Sequence, residues 1–262
     1  MAEGIPVKLV IRRIGIAVIG VGTLGVIVSN SAGAVGGSRY TDMAFPTPEA
    51  AIQHYTKGVS QGDAAAIFES FSIQKYAEKF DFVSYTDRLQ AMELDRTLLP
   101  ATSPMFKQLN EALRASLLAG QVRTLIFSMI SSQAENVQTG GGIIQADRAK
   151  ASDFVASLDV KKLSILKIAK IVEIPAKNSA IFAKSQKNEA AQAKITGADE
   201  QREYLVLYQL GATVFKGGIT AQRYGTTWTI VTLTAPLSGL PANGAVQKSS
   251  LADFDKSASE FG

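Results

Sequence analysis

After Leu158 the chain stops reading as helices and starts reading as strands, and this change of period restricts the fold more than any motif does. Upstream, apolar residues recur at three- and four-residue spacing; downstream, short runs rich in β-branched and aromatic residues are separated by turn signals. The runs are 163–174, 179–185, 189–195, 203–210, 213–224 and 227–233. Gly211 and Gly225 are turn residues, and Gly217-Gly218 inside a run predicts a bulge that bends the sheet. Helices first and consecutive strands afterwards define an α+β protein with an antiparallel sheet. Residues 238–262 are small, polar and aperiodic, and read as a loose tail.

The helical half starts at a clear boundary. Thr47 is a good N-cap, Pro48 suits the first helical position and Glu49 suits the positive end of the helix dipole. Ala51, Ile52, Tyr55 and Val59 form an apolar stripe; Gly62 ends the helix, and Asp63 caps a second short one. Residues 72–158 read as a helical elaboration. Within it, Phe106, Leu109, Leu113 and Leu117 mark the expected buried stripe of a helix beginning near Met105, and Gly120 marks a kink or break. Residues 122–130 read as more helix or as a strand, with helix the favoured reading, 138–142 as a glycine-rich loop and 147–158 as another short helix.

The first 34 residues predict where the protein goes. Lys8, Arg12 and Arg13 precede the apolar run 14–28, and Ala32-Gly33-Ala34 is a small-x-small cleavage signal. This is the anatomy of a secretory signal peptide, cleaved after Ala34 or kept as a membrane anchor. Gly20, Gly22 and Gly25 imitate a dinucleotide-binding fingerprint, but no amphipathic helix follows them and the next acid is Asp42. Residues 35–45 read as a linker, so the folded domain is expected over 46–237. The 262 residues contain no cysteine, which leaves packing alone to hold an exported fold and removes thiolate chemistry.

The net charge of +4 is uneven: between Lys161 and Lys194 lie eight lysines and two acids, Glu173 and Glu189. The stretch lacks arginine and has one aromatic, Phe182, so nucleic acid is not an expected partner. It reads as a solvated sheet edge, where lysines discourage edge-to-edge pairing. In the functional alternative, Lys161, Lys162, Lys167 and Lys170 contact an anionic surface such as lipid headgroups or wall polymer.

Two segments carry a family resemblance: Thr47-Pro48-Glu49-Ala50-Ala51 with its Gly62-Asp63 corner, and the closing Tyr224-Gly225-Thr226-Thr227-Trp228-Thr229-Ile230. Together they resemble the nuclear transport factor 2-like superfamily, the cone-fold or SnoaL-like group, over about half of the chain beyond the leader. The resemblance implies a curved antiparallel sheet wrapped around a helix, with a cone-shaped cavity. Some members are isomerases or dehydratases, while many others bind ligands or partners without catalysis.

Little in the sequence points to a reaction. His54, the single histidine, lies off the centre of its helix's apolar stripe and is expected on a partly exposed surface. One histidine and no cysteine cannot furnish a usual zinc site. Ser72-Ile73-Gln74-Lys75 matches S-x-x-K, yet the spacing recurs at Ser164 and Lys167 and neither companion motif is present. No cofactor is expected. Tyr204, Tyr208 and Trp228 could line a cavity, although both faces of the strand 203–210 are apolar and core packing explains them equally simply. The expected function is therefore a binding or scaffold domain of the bacterial envelope, taking a small apolar ligand or an envelope protein. The alternative is a cofactor-independent isomerase or hydrolase using acid–base residues in the cone.

Overall fold

A computed structural model describes residues 40–90, 92, 97–131, 147–175, 181–240 and 243–261. The leader, residues 35–39 and the glycine-rich loop at 138–142 lie outside the described residues. No helix among the described residues is long and apolar enough to cross a membrane.

Local signals set the first helices. Thr47 accepts a hydrogen bond from the Ala50 N–H at 3.1 Å and starts α1 (Pro48–Gln61), which ends on left-handed Gly62. Asp63 caps α2 (Ala64–Glu69). The next two helices, α3 (Gln74–Lys79) and α4 (Phe82–Leu89), are short. The Asp42 carboxylate accepts from the backbone N–H groups of Ile73, Gln74 and Lys75 at 2.8–2.9 Å, filling the start of α3. Phe45 is buried and bridges to Trp228. The described part of the expected linker is thus anchored to the domain, by a carboxylate and a ring that spacing alone does not connect.

Helix α5 (Pro104–Ile130) runs unbroken through Gly120, which removes the expected kink. Its buried face also differs from the expected one. Leu109 and Leu117 are 56% and 46% exposed, while Asn110, Arg114, Leu118, Val122, Leu125 and Met129 face inward. Hydrogen bonds explain the rotation. The Asn110 amide clamps both backbone groups of Leu99, and Arg114 donates to the carbonyls of Ser72 and Val231. The Arg114 guanidinium also stacks 4.1 Å from the Tyr76 ring centroid. Buried polar groups that find such partners are acceptable in a core, and apolar periodicity cannot register them. Helix α6 (Arg148–Ser157), capped by Asp147, forms where expected.

The sheet has the order β1-β2-β3-β4, all antiparallel, from β1 (Leu166–Ile174), β2 (Glu200–Leu210), β3 (Thr213–Tyr224) and β4 (Thr227–Thr232). Two expected strands are absent: residues 189–195 and the described part of 179–185 belong to one helix, α7 (Phe182–Ile195), and its preceding residue. Its sequence is dominated by Ala, Lys, Gln and Glu, strong helix formers, and Ser185 donates to Glu189 one turn on at 2.7 Å. Gly217-Gly218 makes no bulge against β2, since the pairs Val206–Gly217 and Leu205–Gly218 are consecutive. The glycines permit close approach instead: a Cβ on Gly218 would sit 2.6 Å from the Ala235 nitrogen.

A bulge does occur in β1, between Ile168 and Lys170. Strict alternation from Leu166 would turn Lys170 inward with Ile168. The extra residue, Ala169, shifts the phase so that Ile168 and Ile171 both pack on the main core while Lys170 faces solvent.

Each face of the sheet is covered. On one, Tyr204, Val206, Tyr208, Ile219, Trp228 and Ile230 pack against Ile52 and Tyr55 of α1 and Leu118 and Leu125 of α5. On the other, Leu205, Leu207 and Ile174 pack with Ala235 and Phe254. The second cover comes from the expected loose tail, which forms β5 (Gln247–Ser249), paired with β3, and α8 (Leu251–Ser259). Phe254 is the one fully buried side chain among the tail's described residues, too sparse a signal for periodicity to reveal.

Candidate functional site

The interior where a cone cavity would lie is occupied by side chains. Tyr55, Tyr204 and Tyr208 are at most 1% exposed, and Phe71, Ile52 and Leu118 close the space between sheet and helices. Tyr204, Tyr208 and Trp228 do share one face and one cluster, yet as packed core. Burial drives the Tyr55 and Tyr208 phenols well above the ordinary tyrosine range, so both stay neutral. The Arg202 guanidinium lies 5.0 Å from the Trp228 ring centroid.

His54 stands apart from these rings. It is half-buried on α1, with Nδ1 2.9 Å from Ser70 Oγ and its ring 5.1 Å from Phe45. The hydrogen bond and ring contact tie α1 to the end of α2 and the segment bridged to β4. His54→Ala should therefore cost about 1 kcal/mol in chemical denaturation, more than the ~0.5 kcal/mol ceiling of an uncoupled surface site. An unchanged midpoint would show that neither contact stabilises the fold.

Two open recesses border β1. The first is a groove of about 610 Å³ between α1 and the first part of β1. Its helical wall is Glu49, Gln53, Thr56, Lys57 and Ser60, spaced to share one helix face. Its strand wall is residues 166–171, with Ile168 and Ile171 half-buried. Thr56 and Ser60 spend their hydroxyl protons on the carbonyls of Ile52 and Lys57, so the floor has mixed polarity without unmet donors there.

The lysine candidates divide around this groove. Lys161 and Lys162 lie exposed in the 3-10 turn Val160–Ile165, and Lys167 lies exposed on β1. Lys170 is bound to Asp255 of α8 at 2.7 Å, so its charge is locally balanced. The reading of an edge strand holds for Lys167 and Lys170, whereas Lys184, Lys187 and Lys194 belong to α7.

The second recess, of about 580 Å³, lies between α7 and the start of β2 and includes Glu173, Glu189, Glu200 and Arg202. Arg202 reaches Glu200 at 2.6 Å and Glu173 at 3.2 Å, and Arg223 reaches Glu200 at 3.0 Å. Burial alone would raise the Glu200 carboxyl, but hydrogen bonds from both arginines outweigh it and hold Glu200 below its ordinary value. Glu189 is raised by burial, partly offset by the Ser185 hydrogen bond. Among the described residues no group of three or more His, Cys, Asp or Glu side chains is placed to hold a metal.

Glu203 escaped the sequence analysis. It is 5% exposed on the β2 face covered by the tail, and it accepts a hydrogen bond from the Leu237 N–H at 2.9 Å. Burial, aided by Glu189, pushes its carboxyl up to about 7 against that hydrogen bond. The clue was present: Glu203 is in phase with Leu205 and Leu207 on a strand apolar on both faces.

These features define an α+β domain whose curved sheet is packed on both sides and whose strand β1 borders two open recesses. No protein-family model matches the chain, and no curated protein matches it. Among solved structures, a cystatin-like protein from Ruminococcus gnavus is similar at 17% identity and a TM-score of 0.45, over 77% of this chain and 44% of that one. The present chain thus spans less than half the length of that protein.

Proposed function

We propose that this chain is an exported, nuclear transport factor 2-like domain that binds another protein of the bacterial envelope and catalyses nothing. The observation that carries the reading is the filled interior: Tyr55, Tyr204, Tyr208 and Phe71 occupy the volume in which a cone-fold enzyme or carrier would hold its ligand. The carboxylates near the sheet point the same way. Glu203 lies beneath Leu237 on the opposite face, and Glu173 and Glu200 are engaged by Arg202. The open α1–β1 groove is then the natural contact surface, because it combines half-buried apolar side chains with exposed charge.

A photo-crosslinking residue at Gln53, inside the groove, tests this in cells. It should trap a defined envelope protein, whereas the same residue at Lys256 on exposed α8 should not. Terminal sequencing of the exported protein should begin at Val35 if the leader is cleaved. A saturable rise in Tm with a long-chain fatty acid, lost in Tyr208→Ala, would overturn the reading in favour of a ligand held inside the cone.

A further inference from the structure

We infer that the α1–β1 groove receives an extended, acidic segment of the partner, which adds to the outer edge of β1 as a further strand. This rests on the protein-binding reading above and says how that binding would be made.

The two edges of the sheet are treated differently. The outer edge of β4 is occupied: Phe45 and Trp228 exchange backbone hydrogen bonds at 2.8 and 3.3 Å, while Ile230 donates to Ser70 and accepts from Ser72, both at 2.9 Å. At the opposite edge, β1 pairs with β2 and with no other described strand. Its nine residues offer about 30 Å of edge, with N–H and C=O groups pointing outward at alternate residues on either side of the bulge at Ala169. A strand laid there would direct alternate side chains toward the groove, between Gln53 and Thr56 on one side and Ile168 and Ile171 on the other. Main-chain bonds would supply affinity and the alternate side chains specificity, as in strand addition generally.

Charge selects the occupant. Lys57 and Lys167 are exposed along the groove, Lys170 lines it while paired with Asp255, and its one acidic lining residue is Glu49. Lysines on an edge repel a second copy of the same edge, which guards against self-association. The same charges attract an acidic strand, so exclusion of like edges and choice of partner come from one set of side chains.

The test uses the full chain and three capped nine-residue peptides. One alternates Val or Thr with Glu, one carries Lys in place of each Glu, and one is the acidic peptide N-methylated at every second residue to remove its pairing donors. The acidic peptide should bind and slow hydrogen exchange in residues 166–174. Its affinity should fall at least about tenfold between about 50 and about 300 mM salt. In the double variant Lys57→Gln/Lys167→Gln, checked for unchanged Tm, it should fall about tenfold at low salt. Equal binding of the lysine peptide would refute acidic selection. Equal binding of the N-methylated peptide, or unchanged exchange in β1, would refute strand addition. If no peptide binds while Gln53 still crosslinks an envelope protein, strand addition fails and the protein-binding reading stands; if neither occurs, both fail.

Discussion

Trp228→Ala should cost roughly 3–5 kcal/mol of stability, the range for truncating a buried aromatic. The side chain is 6% exposed, and its neighbours explain why the loss should be severe. Trp228 closes the sheet through its bridge to Phe45, packs in the main core and lies under the Arg202 guanidinium. Its removal would open a cavity and admit water to the ion pairs that Arg202 makes with Glu173 and Glu200. As the single tryptophan, it also reports on itself: emission should be blue-shifted in the folded protein and move red on unfolding. Solvent-like emission from the native state would be incompatible with the closing strand described here.

The second large effect is pH-dependent. Glu203 has a folded-state pKa of about 7 against an ordinary value of 4.5, because burial disfavours its charge. Below about 4.5 the carboxyl is protonated in folded and unfolded chains alike, and the group contributes no difference. Between 4.5 and 7 the unfolded chain releases the proton while the folded chain retains it, so stability falls as pH rises. Above 7 the full penalty is present, roughly 3 kcal/mol for a displacement of this size. Glu203→Gln keeps an acceptor for the Leu237 N–H without the charge. It should raise stability by about 2–3 kcal/mol at pH 8 and change it little at pH 4. Urea denaturation at both values measures the difference. Equal effects at the two pH values would show that Glu203 ionises freely and that the segment around Leu237 does not bury it.

The candidate site was only partly legible. Lys167 and Lys170 do lie on an edge strand, but both face solvent only because the bulge at Ala169 shifts the phase between them, which the spacing does not show. The groove beside them was invisible, since it needs α1, more than a hundred residues upstream in sequence, laid alongside β1. Tyr204, Tyr208 and Trp228 are named as possible cavity-lining residues, but whether they line a cavity or fill it depends on how closely α1 and α5 approach. Glu203 could have been noticed from its phase with Leu205 and Leu207; that its cover is Leu237 could not.

What the amino-acid sequence determined by itself is local: Thr47, Asp63 and Asp147 start helices because each side chain caps backbone donors within a few residues. The Gly211 and Gly225 turns, the alternation of β2 and the helices-then-strands order are local in the same sense, and together they yield the α+β class with its antiparallel sheet. Tertiary structure decided most of the rest. Helix α5 turned Leu109 and Leu117 outward because Asn110 and Arg114 found backbone partners outside the helix. Residues 182–195 became a helix where two strands were expected, and the polar tail folded over the sheet to bury Phe254. For α5 and the tail the deciding free energy comes from groups far apart in the chain, so periodicity within a short window carries no record of it; α7 instead follows the helix propensity of its own Ala, Lys, Gln and Glu residues, which a reading of apolar period passes over.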